Sequence, residues 1–188
     1  EWNPDALRYA LASVLPEQAD SEISEQEMIR RNNEELVAAW GNLVQRVFAQ
    51  INNNFDKLGD ISDSEEIDTK LIFGFEEAYK NIGNLIEKVE LKSALQESMR
   101  CVSQVNAYLN ETEPWKIIKD DTKRAGRVLY TSLQAIDSCA NLLYPFMPTT
   151  SENVRNAIPK TTECKWGVNE IKRGVELGQL ELLFKKFD

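Results

Sequence analysis

The chain has 188 residues and a formal net charge of −9, and 42% of its residues are hydrophobic and 28% charged. This length suffices for one domain with a hydrophobic core, and the composition excludes wholesale disorder. Because the sequence contains no histidine, hydrolases built on a Ser-His or Cys-His pair and zinc proteases of the HExxH type are excluded as well.

The predicted elements are helices, beginning with a short one near the N-terminus. Asn3 followed by Pro4 is typical of an N-cap and a first helical position, and this helix is predicted to reach about Val14 before Pro16 closes it. A capping-box pattern at residues 24–27 then opens a long amphipathic helix with apolar residues at helical spacing, which ends at a run of three asparagines.

Three further long helices and one short helix follow in the same way. The capping-box pattern of residues 62–65 predicts the start of the first, and the others are predicted over residues 91–109, 122–144 and from 149 onward. No segment has the period-two alternation of a half-buried strand. Four long helices joined by short loops predict an all-α fold, a helix bundle.

The segment after Ile158 differs from the rest because proline and glycine interrupt it repeatedly. It nevertheless ends in a cluster of large apolar residues, namely Leu180, Leu182, Leu183 and Phe184. We interpret it as an extended strap that folds back onto the bundle or onto a neighbouring domain. An unstructured tail is the alternative, although disordered tails seldom carry so many large apolar side chains.

The acidic net charge opposes nucleic-acid binding, since phosphates attract lysine and arginine, but the charges are unevenly distributed. Acidic residues are concentrated early in the chain, whereas a basic run follows Trp115 and contains Lys116, Lys119, Lys123, Arg124 and Arg127. By charge alone this run is either a solvated helix face or part of a nucleic-acid surface.

Asn42 and Arg46 lie four residues apart on the second predicted helix and fall nearly opposite its apolar stripe. We therefore expect both side chains on a solvent-facing side, where an amide and a guanidinium can offer directed donors to a flat polar ligand. Two ordinary surface residues are the alternative.

Trp115 follows Pro114, which disfavours helix at Glu113, so the indole is expected at a corner between two helices. An indole at such a corner either seals the end of a hydrophobic core or offers a platform on which an unpaired base stacks. The residues alone leave both interpretations open.

The three cysteines are widely spaced and odd in number, which argues against a disulfide framework or a zinc site and fits a reducing compartment. No apolar run approaches the ~18 residues of a membrane span, and no secretory signal pattern precedes the first helix. We expect a cytoplasmic protein with no membrane partner. The first residue is Glu1, from which we expect a processed or excised chain.

Two stretches resemble the anticodon-binding domain of methionyl-tRNA synthetases. Residues 32–46, NNEELVAAWGNLVQR, are similar to the helix that opens that domain, and residues 110–116, NETEPWK, resemble the family's N-x-x-x-P-W segment. Residues 5–9, 142–148 and 182–186 resemble further family segments in the same order. The resemblance therefore covers the whole chain.

The resemblance implies roles for particular residues and a partner. Asn42, Arg46 and Trp115 match the family residues that read the CAU anticodon of tRNA(Met), the tryptophan by stacking under its first base and the polar pair by hydrogen bonds to base edges. Lys116, Lys119 and Lys123 are candidate phosphate contacts. The partners implied are the tRNA(Met) anticodon loop and the catalytic domain of the same parent chain, and not DNA.

The family's two ATP-handling signatures, HIGH-like and KMSKS-like, are missing from these residues. We therefore expect no catalytic residue, metal or cofactor here, because ATP and methionine belong to the catalytic domain of the parent ligase. The expected division is residues 1–21 as the end of the connection from that domain, 22–158 as the anticodon-binding domain and 159–188 as the returning C-terminal peptide.

Two alternatives remain from the sequence. One is the anticodon domain of another class I synthetase, for valine, isoleucine, leucine or cysteine, which shares the helical bundle. The other is a protein-interaction bundle without any role in RNA binding, in which Trp115 belongs to the core.

Overall fold

The computed structural model describes residues 2–15, 23–161 and 163–187, and the named elements in these ranges are all helices. They comprise α1 (Pro4–Ser13), α2 (Glu25–Arg31), a π-helical segment (Asn32–Gly41), α3 (Asn42–Asn54), α4 (Glu66–Glu87), α5 (Leu91–Thr112), α6 (Pro114–Ile117), α7 (Thr122–Leu143) and α8 (Pro148–Ala157). The all-α bundle predicted from the sequence is confirmed. Pro16, which was expected to close α1, lies outside the described ranges.

The long second helix predicted from the sequence is continuous, but its middle part is π-helical. Ser24 caps its start by accepting a hydrogen bond from the backbone N–H of Glu27. Between α2 and α3 the π-helical segment has wider turns, so the N–H of Asn42 bonds the carbonyl of Val37, five residues back. Such wide turns are rare and concentrate at functional sites.

The start of α4 differs from the sequence prediction. The expected capping box of residues 62–65 does not form; Glu65 is the N-cap instead, and its backbone N–H donates to the Asp68 carboxylate at 2.9 Å. Glu65 and Asp68 have the same three-residue spacing as the expected capping box, so the box forms three residues later in the chain. Ser62 is used elsewhere, since its backbone carbonyl accepts a hydrogen bond from the Arg127 guanidinium at 2.7 Å.

α7 is the central helix of the bundle and is buried along almost its entire length. It packs against α4 and α5, which also pack against each other, and against α3, α6 and α8. Apolar residues at helical spacing on each helix face this common core, as the sequence periodicity predicted.

Helix α1 is attached to the bundle by two polar side chains of the family-like residues 5–9. The buried Asp5 carboxylate accepts from the backbone N–H and the hydroxyl of Thr150 in the first turn of α8, at 2.7 and 2.9 Å. A carboxylate is favourable there because the helix dipole is positive at its N-terminus. Arg8 donates to the carbonyls of Phe146 and Pro145, just beyond the C-terminus of α7.

The segment after Ile158 folds back onto the bundle. Leu183 and Phe184 are buried, whereas Leu182 is exposed. Near its end the segment is held by the π-helical segment: Asn32 donates to the carbonyl of Lys185 at 2.9 Å, and Asn33 bonds both the N–H and the C=O of Phe187. The division of the chain at residues 21 and 158 stays a prediction.

Candidate functional site

Trp115 lies on the short helix α6, at a sharp corner of the chain. Helix α5 ends at Thr112 and is capped by Glu113, which adopts the left-handed conformation with φ 41° and whose N–H bonds the carbonyl of Leu109. Pro114 then opens α6 at its first position. A left-handed non-glycine residue is strained by about 1–3 kcal/mol, and such residues concentrate at functional sites. The corner holds the indole at the end of the bundle, partly buried and packed against the core.

The guanidinium of Arg46 lies over the Trp115 ring, with its central carbon 5.5 Å from the ring centroid. This distance is within the range of a cation–π interaction. The two residues come from different helices, α3 and α6, so the tertiary fold brings together two of the three residues singled out in the sequence. Trp115 is thus half-buried rather than sealed in the core, and it lies close to Arg46.

Arg46 is more buried than its place on the helix predicted. Its side chain is only partly exposed, and its Nε atom is buried without a hydrogen-bond partner among the described residues. The helix face opposite the apolar stripe of α3 is covered in part by α5 and by Trp115, so Arg46 lies at the edge of a contact rather than in open solvent. Asn42, one turn earlier on α3, is exposed as predicted.

Asn106 on α5 fixes the position of Arg46. Its side-chain oxygen accepts from Arg46 Nη2 at 3.3 Å, while its side-chain nitrogen donates at 3.2 Å to the carbonyls of Ala39 and Val102. Ala39 belongs to the π-helical segment, two residues before that segment ends at Gly41. Asn106 therefore ties the Arg46 guanidinium and the π-helical backbone to the same point on α5.

Two residues of this site were not identified from the sequence, Asn106 and Glu113. The signal for Asn106 was present: it interrupts the apolar stripe of α5 between Val102 and Leu109, both of which are buried. A polar residue on a core-facing stripe needs hydrogen-bond partners. The left-handed conformation of Glu113 had no comparable signal, because its neighbour Pro114 predicts only a break in the helix.

The three lysines predicted as phosphate contacts are all exposed. Lys116 pairs with Glu113 at 2.8 Å and Lys123 with Asp60 at 3.1 Å. Exposed ion pairs contribute little to stability, so these pairs can be exchanged for contacts with another anion. Lys119 forms no ion pair with any residue of the described ranges.

The two arginines of the basic run have structural contacts instead. Arg124 binds the buried Asp68 carboxylate with both terminal nitrogens, at 2.6 and 3.0 Å, and Tyr108 donates to the same carboxylate. Burial by itself raises the pKa of the Asp68 carboxyl, but these hydrogen bonds outweigh it and the pKa is lowered. Arg127 is buried and donates to the carbonyl of Ser62.

No helix in the described part of the chain is long and apolar enough to cross a membrane. Within the same residues, no group of histidine, cysteine or carboxylate side chains is arranged to hold a metal ion.

Comparison with known proteins identifies the family. Residues 59–188 match the family profile described as the anticodon binding domain of methionyl tRNA ligase, and residues 1–48 match that of the class I tRNA synthetases (M). The methionine–tRNA ligases of Bifidobacterium adolescentis and Chloroflexus aurantiacus are 42% and 39% identical over 84% and 81% of this chain. The chain spans about a quarter of the length of these relatives, 26% of each.

Solved structures give the same result at the level of the fold. The free-state methionyl-tRNA synthetase of Mycobacterium tuberculosis superposes with a TM-score of 0.89 at 21% identity, covering 98% of this chain and 39% of that one. Its complex with methionyl-adenylate gives 0.87 over 96% of this chain and 37% of that one.

The fold is thus the helical bundle found within methionyl-tRNA synthetases. The profile and the sequence identities go further, and the chain belongs to the methionine–tRNA ligase family, to the anticodon-binding domain of these enzymes. The resemblance seen in the sequence is confirmed, and the alternative of a synthetase for valine, isoleucine, leucine or cysteine is set aside.

Proposed function

We propose that this chain binds the CAU anticodon of tRNA(Met), so that the full-length methionine–tRNA ligase selects this tRNA for ATP-dependent methionylation in protein biosynthesis. ATP and methionine would be bound by the catalytic domain of that enzyme, and the tRNA anticodon loop and that domain are the partners of this chain. We place this activity in the cytoplasm.

The stacked pair of Arg46 and Trp115 carries this proposal. A half-buried indole with a guanidinium 5.5 Å from its ring centroid brings a flat surface and several hydrogen-bond donors side by side. RNA-binding proteins recognise unpaired bases with this combination, by stacking a base on an aromatic ring and bonding its polar edge.

Each residue then has a distinct task. Trp115 stacks against the first anticodon base, while Asn42 and Arg46 hydrogen-bond to base edges from adjacent turns of α3. Since edge contacts and stacking supply the specificity, an acidic protein needs only a few local cations for the backbone. Lys116, Lys119 and Lys123 are exposed and follow Trp115 directly, which makes them suitable for that purpose.

Titration with RNA stem-loops tests the proposal. Wild type is expected to bind a CAU loop more tightly than a loop with a changed first base, and Trp115→Ala to lose about 10- to 100-fold in CAU affinity, since stacking contributes ~1–3 kcal/mol per base. The matched control is Trp166→Ala, which removes a half-exposed indole from the strap. Equal affinity for both loops, with little salt dependence, would favour the interaction-module alternative.

The same substitution in the full-length ligase separates recognition from chemistry. Trp115→Ala is expected to reduce tRNA methionylation while leaving the formation of methionyl-adenylate from ATP and methionine unchanged. Equal loss in both assays, or no loss in either, would contradict the role proposed for Trp115.

A further inference from the structure

Two arginines meet at one tyrosine, Tyr130 on α7. The guanidinium carbons of Arg127 on α7 and Arg173 on the strap lie 5.5 and 4.9 Å from the centroid of the Tyr130 ring. Because both distances are measured to the same centroid, the two guanidinium carbons are separated by no more than their sum. Arg127 is buried, with 7% of its surface exposed, whereas Arg173 is exposed. The pair therefore combines one cation anchored in the bundle with a second one exposed to solvent.

The backbone around Arg173 is held on both sides. The Tyr130 hydroxyl donates to the carbonyl of Ile171 at 2.9 Å, and the N–H of Lys172 donates to the carbonyl of Pro159 at 2.9 Å. Immediately after Arg173, the N–H of Gly174 donates to the carbonyl of Leu58 at 3.1 Å.

These bonds fix the strap at positions 171, 172 and 174. Gly174 has φ +69°, which favours glycine, so the turn that presents Arg173 is built into the sequence. Arg127 is held as well, by its bond to Ser62. Both cations are thus positioned by the fold before any ligand arrives.

Neither arginine is neutralised. In the described residues no carboxylate lies within ion-pair distance of Arg127 or Arg173, although the chain has 31 acidic residues and only 22 basic ones. Asp68 and Asp63 act on Arg127 only at longer range, and Asp68 is already bound by Arg124. Burial lowers the pKa of Arg127, and the charge of Arg173 lowers it further.

Placing two like charges together, one of them buried, costs free energy unless an anion joins them. An acidic protein has many carboxylates with which to neutralise such a pair, so their absence here points to an anion supplied from outside. Guanidinium groups match the geometry of phosphate and can bind its oxygens in pairs. Lys123, one turn before Arg127 on α7, adds an exposed cation to the same side of that helix.

We propose that Arg127 and Arg173 form a binding site for a phosphodiester group of the RNA backbone, separate from the site around Trp115. This inference rests on the proposed function, which supplies the RNA. A contact with the RNA phosphate backbone adds affinity and fixes the orientation of the RNA, but it does not distinguish one base from another. Substitution here should therefore weaken all RNA loops alike, in contrast to substitution at Trp115.

Arg173→Gln in the full chain tests the site, because the exposed side chain can be replaced without disturbing the core. The probe is the CAU stem-loop, titrated over a range of salt concentrations, with the changed-base loop in parallel. We expect roughly tenfold weaker binding of both loops and a salt slope smaller by about one. Arg100→Gln is the matched control, since it removes an exposed arginine from α5 and changes the net charge equally.

Loops in which one phosphate at a time is replaced by an uncharged methylphosphonate locate the contact. One position should weaken wild type but not Arg173→Gln. The site is overturned if Arg173→Gln and Arg100→Gln behave alike, or if no such position exists, and an anion carried by a protein partner would then be favoured. If wild type does not prefer CAU, the proposed function fails instead. That result is distinct because it is read from wild type with the two loops, whereas the site is judged by comparing Arg173→Gln with Arg100→Gln.

Discussion

Asn106 and Arg46 are joined by a hydrogen bond of 3.3 Å that crosses from α5 to α3. The same amide donates to the carbonyl of Ala39, so one side chain holds both the candidate recognition residue and the backbone of the π-helical segment. Asn106 thus positions Arg46 and the π-helical backbone through one side chain.

Replacing Asn106 by alanine should affect stability and recognition together. Loss of the bond to Ala39 is expected to lower the free energy of unfolding by about 1 kcal/mol. Loss of the bond to Arg46 should also weaken binding of the CAU stem-loop. Urea denaturation and RNA titration measure the two effects. Gln104→Ala, at an exposed position on the same helix, should change neither. A stability loss with unaltered RNA affinity would restrict Asn106 to a structural role.

Arg46→Lys retains the positive charge but not the planar group that lies over Trp115. Because lysine cannot form a forked pair of hydrogen bonds, we expect roughly tenfold weaker CAU binding with stability within about 0.5 kcal/mol of wild type. Fluorescence titration of the RNA loop provides the measurement. Arg100→Lys, which alters an exposed arginine on α5, serves as its control. Unchanged affinity of Arg46→Lys for the CAU loop would show that only the positive charge matters at this position.

The buried carboxylate of Asp68 makes stability depend on pH. Its pKa is lower in the folded than in the unfolded chain, because hydrogen bonds from Arg124 and Tyr108 outweigh the effect of burial. Its stabilising contribution is therefore complete above the unfolded value of about 4 and is lost as the pH falls through the lower folded value.

Asp68→Asn should accordingly destabilise the protein by about 3 kcal/mol at pH 7, since it leaves Arg124 without its buried partner. Urea denaturation at decreasing pH should show the difference from wild type shrinking below about pH 4. Asp60→Asn, at an exposed aspartate, should show almost no difference at any pH. A constant difference across this range would mean that the charge of Asp68 is not what stabilises the fold.

Two glycines should respond oppositely to alanine. A Cβ atom on Gly178 would lie 2.9 Å from Cα of Ala157, and neither backbone can retreat while their 2.8 Å hydrogen bond persists. Gly178→Ala should cost about 1–3 kcal/mol and increase hydrogen exchange along the strap. On α4 a Cβ at Gly74 meets nothing within 4 Å, so Gly74→Ala should stabilise by about 0.5–1 kcal/mol. Unchanged exchange in Gly178→Ala would show that the strap is not held at this point.

Sequence patterns predicted the helices well and the site only in part. The bounds of α5 and α7 follow from apolar spacing over more than twenty residues, where packing and local preference agree. The strap was predicted to dock because of its apolar end, and Leu183 and Phe184 do pack into the core. The helices and the docked strap could be predicted because the apolar residues within each segment indicate which side of it is buried.

The features that the sequence did not predict depend on contacts between segments distant in sequence. The spacing of residues 32–41 fits an α-helix as readily as a π-helix, so nothing local distinguished them. Arg46 was expected in open solvent because its helix was considered alone, whereas Asn106 and Trp115 approach it from sixty or more residues away. Arg124 belongs to the basic run in sequence, but in the fold it binds the buried Asp68 carboxylate of α4, which the sequence does not indicate.

The π-helical segment also bears on how this protein tolerates insertions and deletions. Each residue turns the chain by about 100° in an α-helix and by less in the wider turns of this segment, so its residue count and its geometry together set the direction in which all of α3 faces. Removing one residue while the wide turns persist would rotate Asn42 and Arg46 together, away from Trp115. The two keep their direction only if the shortened segment returns to α-helical geometry. The proposed recognition surface is therefore encoded partly as a length, which substitution experiments alone would not reveal.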